Sequence, residues 1–139
     1  MTSSPQSGIR DVALRVLVVD DDYDSAEVLR YVLRSAGCEV RVALDGSAAL
    51  AVVAEFEPDA AIVDLGLPTM TGYDLVGLLR SMPALQACRF LAITGYIANG
   101  LAERSAAAGF VAHFTKPVRS VELLAALGIE RIEERKANL

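Results

Sequence analysis

The chain is poor in the residues that build disulfide frameworks, zinc sites and histidine-dependent catalytic sites. Its 139 residues include two cysteines, one histidine and no tryptophan. Cys38 and Cys88 match neither a disulfide framework nor a zinc motif, so we expect reduced, semi-buried thiols in a cytosolic protein. His113 has no second histidine with which to form a metal or catalytic pair.

Long apolar and basic runs are also missing. No apolar stretch approaches the roughly 18 residues that a membrane-spanning helix needs. The net charge of −5 and the lack of a basic run argue against nucleic acid as a partner. Residues 1–8 lack the charged and apolar regions of a signal peptide, so we expect residues 1–13 to be a short disordered leader of a cytoplasmic protein.

What is present is an ordinary globular composition at the length of one domain. Hydrophobic residues make up 53% of the chain and charged residues 22%, which excludes a disordered protein. A chain of this size can bury roughly two-thirds of its unfolded surface, enough for a core of its own. We therefore predict one domain over residues 14–127, followed by a short charged tail over residues 128–139.

Short apolar runs alternate with amphipathic segments of helical length, which is typical of an α/β domain with a parallel sheet. We predict five strands, at about residues 15–19, 39–43, 60–63, 90–93 and 110–114. We predict five helices, at about residues 23–36, 46–56, 73–80, 98–108 and 118–127. Right-handed crossovers would then place helices on both faces of one sheet.

Polar residues follow the apolar runs of four predicted strands. They are Asp20, Asp21, Asp64, Thr94 and Lys116. In an open parallel sheet the functional crevice lies at the carboxyl ends of the strands, near a switch in strand order. Carboxylates from the first and third strands would meet there, and their repulsion is unfavourable unless a cation lies between them. The sequence therefore predicts a cation site at this edge of the sheet.

Four motifs occur in order, each at the end of a predicted strand. They cover residues 18–22, 63–72, 92–96 and 114–117, with the sequences VVDDD, VDLGLPTMTG, AITGY and FTKP. With these motifs the chain resembles the receiver domains of response regulators, the phosphorylatable modules of two-component signalling, from about Leu14 to Leu127. The resemblance implies an α/β, flavodoxin-like (βα)5 fold whose five parallel strands run in the order 2-1-3-4-5.

The resemblance also implies a Mg²⁺ site. Asp21 would bind the ion directly, Asp20 would bind it largely through water, and the backbone carbonyl of Gly66 would be a further ligand. Mg²⁺ suits such a site because it takes one or two carboxylates, a carbonyl and several waters. Asp64 would be both a ligand and the phosphoacceptor, since Mg²⁺ can offset the repulsion between a carboxylate and a phosphoryl group.

Three further residues receive roles from the resemblance. Lys116 would pair with the acidic cluster and then with a phosphoryl oxygen, and its peptide bond to Pro117 would be cis. Thr94 would swing toward the phosphoryl group and hydrogen-bond it. His113 stands where the family commonly has a tyrosine or phenylalanine whose rotamer reports phosphorylation. Two interpretations of His113 stay open: an exposed ring at the sheet edge, or a switch residue that can carry charge near neutral pH.

Each of these residues also has a purely structural interpretation. An aspartate pair after a strand can form a solvated turn, with one of the two or Asp22 capping the next helix. Asp64 can cap a turn, Lys116 can be a surface lysine at a strand end, and Thr94 can be an ordinary strand threonine. The occurrence of all of them together favours the signalling interpretation.

The function that the resemblance implies is a phosphorylation-activated switch rather than an enzyme. Asp64 would accept a phosphoryl group from a phosphohistidine on a histidine kinase or phosphotransfer protein, and the domain would catalyse only its own phosphorylation and dephosphorylation. The surface of the fourth helix, fifth strand and fifth helix would then change its affinity for a downstream protein. We expect a stand-alone receiver or relay intermediate, monomeric or weakly dimeric. A receiver excised from a hybrid histidine kinase is the alternative.

Three other classes of protein fit the sequence less well. A hydrolase of the haloacid-dehalogenase type would also use Mg²⁺ and an aspartyl phosphate, but it needs an aspartate two residues after the nucleophile, where this chain has Gly66. A flavodoxin-like cofactor binder needs a phosphate-cradling loop after the first strand, where three aspartates would repel a phosphate. A nucleotide-binding P-loop is absent.

Overall fold

The computed structural model describes residues 13–129, in which strands and helices alternate along the chain. The strands are β1 (Arg15–Val19), β2 (Glu39–Ala43), β3 (Ala60–Asp64), β4 (Arg89–Thr94) and β5 (Phe110–Thr115). The helices are α1 (Tyr23–Ser35), α2 (Gly46–Phe56), α3 (Gly72–Arg80), α4 (Leu101–Ala108) and α5 (Ser120–Ala126), with a short 3-10 turn at Pro83–Leu85. The predicted leader and charged tail lie almost wholly outside the described residues, and the division into leader, domain and tail stays a prediction.

The five strands form one parallel sheet in the order β2-β1-β3-β4-β5, which confirms the predicted fold class. Strand β1 lies between β2 and β3, so the strand order reverses at β1. Val19 pairs with Val63 in the register of β1 and β3. The residues that follow this pair, Asp20 and Asp64, therefore leave the sheet side by side.

Two apolar layers cover the sheet, one on each face. Alternate residues of the strands point to opposite faces, so each strand contributes to both layers. One layer packs against α1 and α5 and includes Val18, Ile62 and Ile93. The other packs against α2, α3 and α4 and includes Val19 and Val63. All residues of β3 are buried, as expected for a central strand covered on both faces.

Two helices begin later than the sequence pattern predicts. Helix α4 begins at Leu101 rather than Ala98, because Gly100 has a φ of +76°, in the left-handed region that ends a right-handed helix. Helix α5 begins at Ser120 rather than Val118, because Arg119 is still extended with ψ at 128°. Among residues 13–129, none of the helices combines the length and the apolar character that crossing a bilayer requires.

Candidate functional site

The carboxyl ends of β1 and β3 bring three acidic side chains together. Carboxylate oxygens of Asp20, Asp21 and Asp64 all lie within 4.8 Å of one another. Asp20 and Asp64 are buried, whereas Asp21 is exposed. The cluster predicted from the sequence is therefore present, with two carboxylates inside the protein and one at its surface.

The buried carboxylate of Asp20 contacts one backbone N–H and one ammonium group. Its Oδ1 accepts a hydrogen bond of 3.0 Å from the Asp22 N–H. The Nζ atom of Lys116 lies 2.9 Å from Asp20 Oδ2 as an ion pair. Oδ2 is buried, and the Lys116 ammonium is the charged group in contact with it. Burial raises the pKa of Asp20, although the Asp22 N–H and Lys116 act to lower it.

Asp64 is held from two sides. Its Oδ1 accepts a hydrogen bond of 2.8 Å from the Gly66 N–H. Its Oδ2 accepts one of 3.0 Å from Lys116 Nζ. Both oxygens therefore accept hydrogen bonds, which fixes the orientation of the carboxylate.

Lys116 reaches the two buried carboxylates from the end of β5. Its backbone N–H donates a hydrogen bond of 2.8 Å to the Thr94 carbonyl, which fixes the start of the side chain beside β4. The peptide bond between Lys116 and Pro117 is cis, as the resemblance implied. Partial burial acts to lower the pKa of Lys116, but its contacts with Asp20 and Asp64 raise the pKa overall. The ammonium group is therefore charged at neutral pH.

The acidic cluster fits a hard divalent cation. It offers carboxylate oxygens, which are the ligands that Mg²⁺ prefers, and an exposed side at Asp21 where waters can complete the coordination. The convergence of three carboxylates on one cationic side chain, Lys116, is the observation that argues most strongly for a bound cation. Asp20, Asp21 and Asp64 would hold the ion. The Gly66 carbonyl stays a predicted ligand.

Thr94 and its neighbour Tyr96 are linked to each other at the mouth of the site. Thr94 is buried at the end of β4. Its hydroxyl donates a hydrogen bond of 3.1 Å to the backbone carbonyl of Tyr96. Tyr96 itself is 74% exposed. In this conformation the hydroxyl is engaged with the backbone, so an interaction with a phosphoryl group at Asp64 would require it to turn.

His113 lies in β5, where its Cα pairs with that of Ala92. Its neighbours Ala112 and Phe114 pack into the layer beside α1 and α5, so His113 is on the opposite face, on the side of α4. The residue is exposed. This position agrees with either of the two interpretations left open by the sequence, and the switch role stays a prediction.

Asp22 belongs to the local helix geometry rather than to the cluster. Its Oδ1 accepts a hydrogen bond of 3.2 Å from the Asp24 N–H at the start of α1, and its Oδ2 accepts one of 2.8 Å from the Ser25 hydroxyl. The bond from Ser25 lowers the pKa of Asp22. The predicted role of Asp22 as a helix cap is therefore confirmed.

A groove beside the site was not predicted from the sequence. It lies between α1 and the chain after β5, has a volume of about 320 Å³, and has apolar walls formed by Val28, Leu29, Pro117 and Val118. Val28 is 63% exposed on α1. An apolar residue on the solvent side of the helix was the only signal for this surface in the sequence, and it is weak.

Comparison with known proteins assigns the chain to a family. The family model described as "Response regulator receiver domain" matches residues 16–128. The chain therefore belongs to the response regulator receiver domain family, the class of protein that its fold and acidic site also define.

Two individual relatives are similar to the chain over most of its length. The chain is 40% identical over 111 residues to the DNA-binding response regulator MtrA of Mycolicibacterium smegmatis, covering 80% of this chain and 47% of the relative. It is 33% identical over 109 residues to the "Uncharacterized 14.6 kDa protein in sodA1 3'region" of Leptolyngbya boryana, covering 78% and 83% of the two chains. The chain thus spans about half the length of MtrA but most of the second relative.

A similar solved structure is the chemotaxis protein CheY4 of Vibrio cholerae. It has a TM-score of 0.79 and 29% sequence identity, and the match covers 84% of this chain and 98% of that protein. The chain is therefore a CheY-like receiver domain of two-component signalling, and a member of a family of signalling switches.

Proposed function

We propose that this receiver domain accepts a phosphoryl group on Asp64 from a phosphohistidine, in a reaction that requires Mg²⁺. The observation that carries the proposal is the meeting of Asp20, Asp21 and Asp64 within 4.8 Å, with Lys116 Nζ 3.0 Å from the Asp64 carboxylate. A carboxylate among other carboxylates is a poor site for another anion, so this arrangement has a chemical use only together with positive charge.

The transfer exchanges one bond for another. An oxygen of Asp64 attacks phosphorus, the P–N bond of the donor phosphohistidine breaks, and the imidazole leaves with that electron pair and then takes up a proton. Lys116 is close enough to Asp64 to hold the carboxylate in place and to neutralise developing charge on a phosphoryl oxygen. When bound, Mg²⁺ would supply further electrostatic stabilisation of the phosphoryl oxygens.

The signal would leave the site through Thr94. A phosphoryl group on Asp64 offers the Thr94 hydroxyl a charged acceptor in place of the Tyr96 carbonyl. Turning the hydroxyl would free the segment between β4 and α4, and the surface of α4, β5 and α5 would shift toward a second conformation that binds a downstream protein. The domain is in this proposal a switch that catalyses only its own phosphorylation and dephosphorylation.

His113 is proposed as a modifier of that switch. It lies exposed on the α4 side of β5, within the surface that would change. If its ring takes part, binding of a partner by the phosphorylated form should vary between about pH 6 and 8. The His113→Phe variant should lose that dependence in a binding titration, and an unchanged pH profile would limit His113 to an exposed edge residue.

The donor is proposed to be a histidine kinase or histidine phosphotransfer protein. The groove formed by Val28, Leu29, Pro117 and Val118 adjoins Lys116, so a docked donor would contact it while its phosphohistidine approaches Asp64. A stand-alone receiver or relay intermediate is the proposed context, and a receiver within a hybrid histidine kinase is the alternative. A cytoplasmic location and a monomeric or weakly dimeric state stay predictions.

The experiment that tests this function is phosphorylation by acetyl phosphate, with and without Mg²⁺, followed by intact mass spectrometry. The wild-type chain should gain one phosphoryl group only when Mg²⁺ is present. Asp64→Asn should gain none, whereas Asp59→Asn, a control at the opposite end of β3, should be phosphorylated like wild type. A wild-type chain that gains no phosphoryl group from acetyl phosphate or from a phosphohistidine donor would refute the proposal.

A further inference from the structure

The β3–α3 connection passes unusually close to the backbone of the residue that is proposed to be phosphorylated. Gly72, the first residue of α3, is buried. A Cβ atom at Gly72 would lie 2.5 Å from the Asp64 carbonyl oxygen and 2.9 Å from the Leu65 Cα atom. Real Cβ atoms essentially never come within 3.0 Å of other heavy atoms. Only glycine therefore fits here without moving Asp64 or α3.

Space, rather than backbone conformation, requires this glycine. The φ angle of Gly72 is not in the left-handed region, in contrast to those of Gly37, Gly100 and Gly109. An alanine could therefore adopt the local backbone angles, and what excludes it is contact with the Asp64–Leu65 peptide. The crowding atoms belong to the backbone, so no side-chain rotation can relieve the contact.

The peptide that Gly72 touches is held from the other side by β4. The Leu65 N–H donates a hydrogen bond of 2.9 Å to the Ile93 carbonyl, and the Gly72 N–H donates one of 3.1 Å to the Leu65 carbonyl. The Asp64–Leu65 segment thus lies between β4 and the start of α3. Its position determines where the Asp64 carboxylate meets Lys116 and the other two carboxylates.

The start of α3 is itself firmly anchored. The Thr71 hydroxyl accepts a hydrogen bond of 3.1 Å from the Asp74 N–H, and the Asp74 side chain accepts one of 3.4 Å from the Thr71 N–H. This reciprocal capping pair fixes the first turn. Leu75 and Val76, also in the first turns of α3, are buried in the core. An added atom at Gly72 would therefore press on Asp64 as well as on the helix.

From these contacts we infer that Gly72 is a positioning residue for Asp64, a role that rests on the proposed function of Asp64. Its lack of a side chain lets α3 set the phosphoacceptor at the distance that the acidic cluster and Lys116 require. An alanine would have to open the 2.5 Å contact to at least 3.0 Å. Displacements of this size at a reacting group cost about tenfold in rate, given that about 1 Å can cost a hundredfold.

The chain offers two matched controls for a Gly72→Ala variant. Gly77 lies in the same helix, and a Cβ there would meet nothing within 4 Å. Gly46 is crowded, but by the sulfur of Met70 at 2.7 Å, which is part of a flexible side chain. Gly77→Ala tests for an effect of alanine in α3, and Gly46→Ala tests for crowding on the same β3–α3 connection that rotation of a side chain can relieve.

The experiment measures three quantities for each variant: the Mg²⁺ dissociation constant from NMR amide shifts, the initial rate of phosphorylation by acetyl phosphate at saturating Mg²⁺, and the melting temperature. Gly72→Ala should raise the dissociation constant and lower the rate, each by about tenfold. Gly77→Ala and Gly46→Ala should leave both within about twofold of wild type, whatever stability Gly46→Ala loses.

Loss of stability is separated from loss of position by comparing variants at equal distances below their melting temperatures. If Gly72→Ala melts too low, the measurements are made in the cold with trimethylamine N-oxide, which stabilises folded proteins. Thr71→Ala then provides a second test, because loosening the capped turn without adding an atom should weaken Mg²⁺ binding in the same direction but less.

A folded Gly72→Ala that binds Mg²⁺ and is phosphorylated like wild type would overturn the inference and leave Gly72 as a packing residue. The Mg²⁺ titration does not depend on phosphoryl transfer. If the wild-type chain itself is not phosphorylated, the proposed function fails, while the titration still decides whether Gly72 positions Asp64.

Discussion

The two ends of the parallel sheet differ in how their charged groups are matched. At the amino end of β1, the Arg15 N–H donates a hydrogen bond of 2.8 Å to Asp59 Oδ2. The Arg15 guanidinium donates to the Glu57 carbonyl at 3.0 Å and lies 6.0 Å from the centre of the Phe56 ring. Here the carboxylate accepts from a backbone N–H and the guanidinium donates to a backbone carbonyl, so each charged group has a neutral hydrogen-bond partner.

At the carboxyl ends of the strands the balance is reversed. Three carboxylates lie within 4.8 Å of one another, and Asp20 is completely buried. Among residues 13–129, Lys116 is the cation in contact with the two buried carboxylates. The excess of negative charge occurs at one end of the sheet and not at the other. It is therefore a property of the site and not of the fold. A site that costs stability in this way is expected where function requires it.

The largest effect is expected from removing the cation at the unmatched end. Lys116→Ala removes the ammonium group that pairs with Asp20 and Asp64. The rate of phosphorylation by acetyl phosphate should therefore fall about a hundredfold. The free energy of unfolding should fall by about 3 kcal/mol, the low end for a broken buried pair, since Lys116 is 23% exposed. Phosphorylation assays and denaturant unfolding measure the two effects.

Arg15→Ala is the matched change at the other end of the sheet. It should cost about 1 kcal/mol of stability from lost hydrogen bonds and leave the phosphorylation rate unchanged. If Arg15→Ala slowed phosphorylation as much as Lys116→Ala, the contrast between the two ends would be wrong.

An intermediate effect is expected from neutralising Asp20. Burial raises its pKa, so in Mg²⁺-free buffer the free energy of unfolding should fall as the pH rises above the ordinary value of 3.8 and through the raised value. Asp20→Asn should remove this decline and be more stable than wild type at neutral pH. The gain should be about 1 kcal/mol, because the weakened ion pair with Lys116 offsets part of the relief from burying a charged carboxylate. Denaturant unfolding across pH measures it.

Asp22 sharpens this test because its pH dependence has the opposite sign. The Ser25 hydroxyl lowers its pKa, so Asp22 contributes stability above the ordinary value that is lost as the pH falls through the lowered one. Asp22→Ala should therefore be less stable than wild type at neutral pH. The loss should be smaller than the gain expected for Asp20→Asn, and it should vanish in acid. If both substitutions changed the pH dependence of the free energy of unfolding in the same direction, the environments assigned to Asp20 and Asp22 would be wrong.

Much of the fold could be predicted because its signals are local. The alternation of apolar runs and amphipathic segments predicts five strands, five helices and a parallel sheet. The strand order 2-1-3-4-5 was predicted only through the resemblance to receiver domains. The predicted start of α4, at residue 98, was wrong. Residues 98–100 continue a helical pattern in sequence, but Gly100 adopts a left-handed conformation in the structure.

Only part of the candidate site could be predicted from the sequence. Asp20, Asp21, Asp64 and Lys116 follow strands, so a parallel sheet brings them to one edge regardless of side-chain detail. The close approach of Gly72 to Asp64 could not be predicted, because it depends on how α3 packs against the end of β3 rather than on spacing along the chain. Backbone-to-backbone contact leaves no pattern in a single sequence except the glycine itself.

The most direct test of the central claim, that acidic residues of two neighbouring strands form a site for a divalent cation, is thermal unfolding with and without Mg²⁺. Binding to the folded state alone should raise the melting temperature of the wild-type chain by several degrees at millimolar Mg²⁺. Asp21→Ala should lose most of that shift, and Asp24→Ala, a nearby acidic change on α1 outside the cluster, should keep it. A wild-type melting temperature that does not respond to Mg²⁺ would contradict the account.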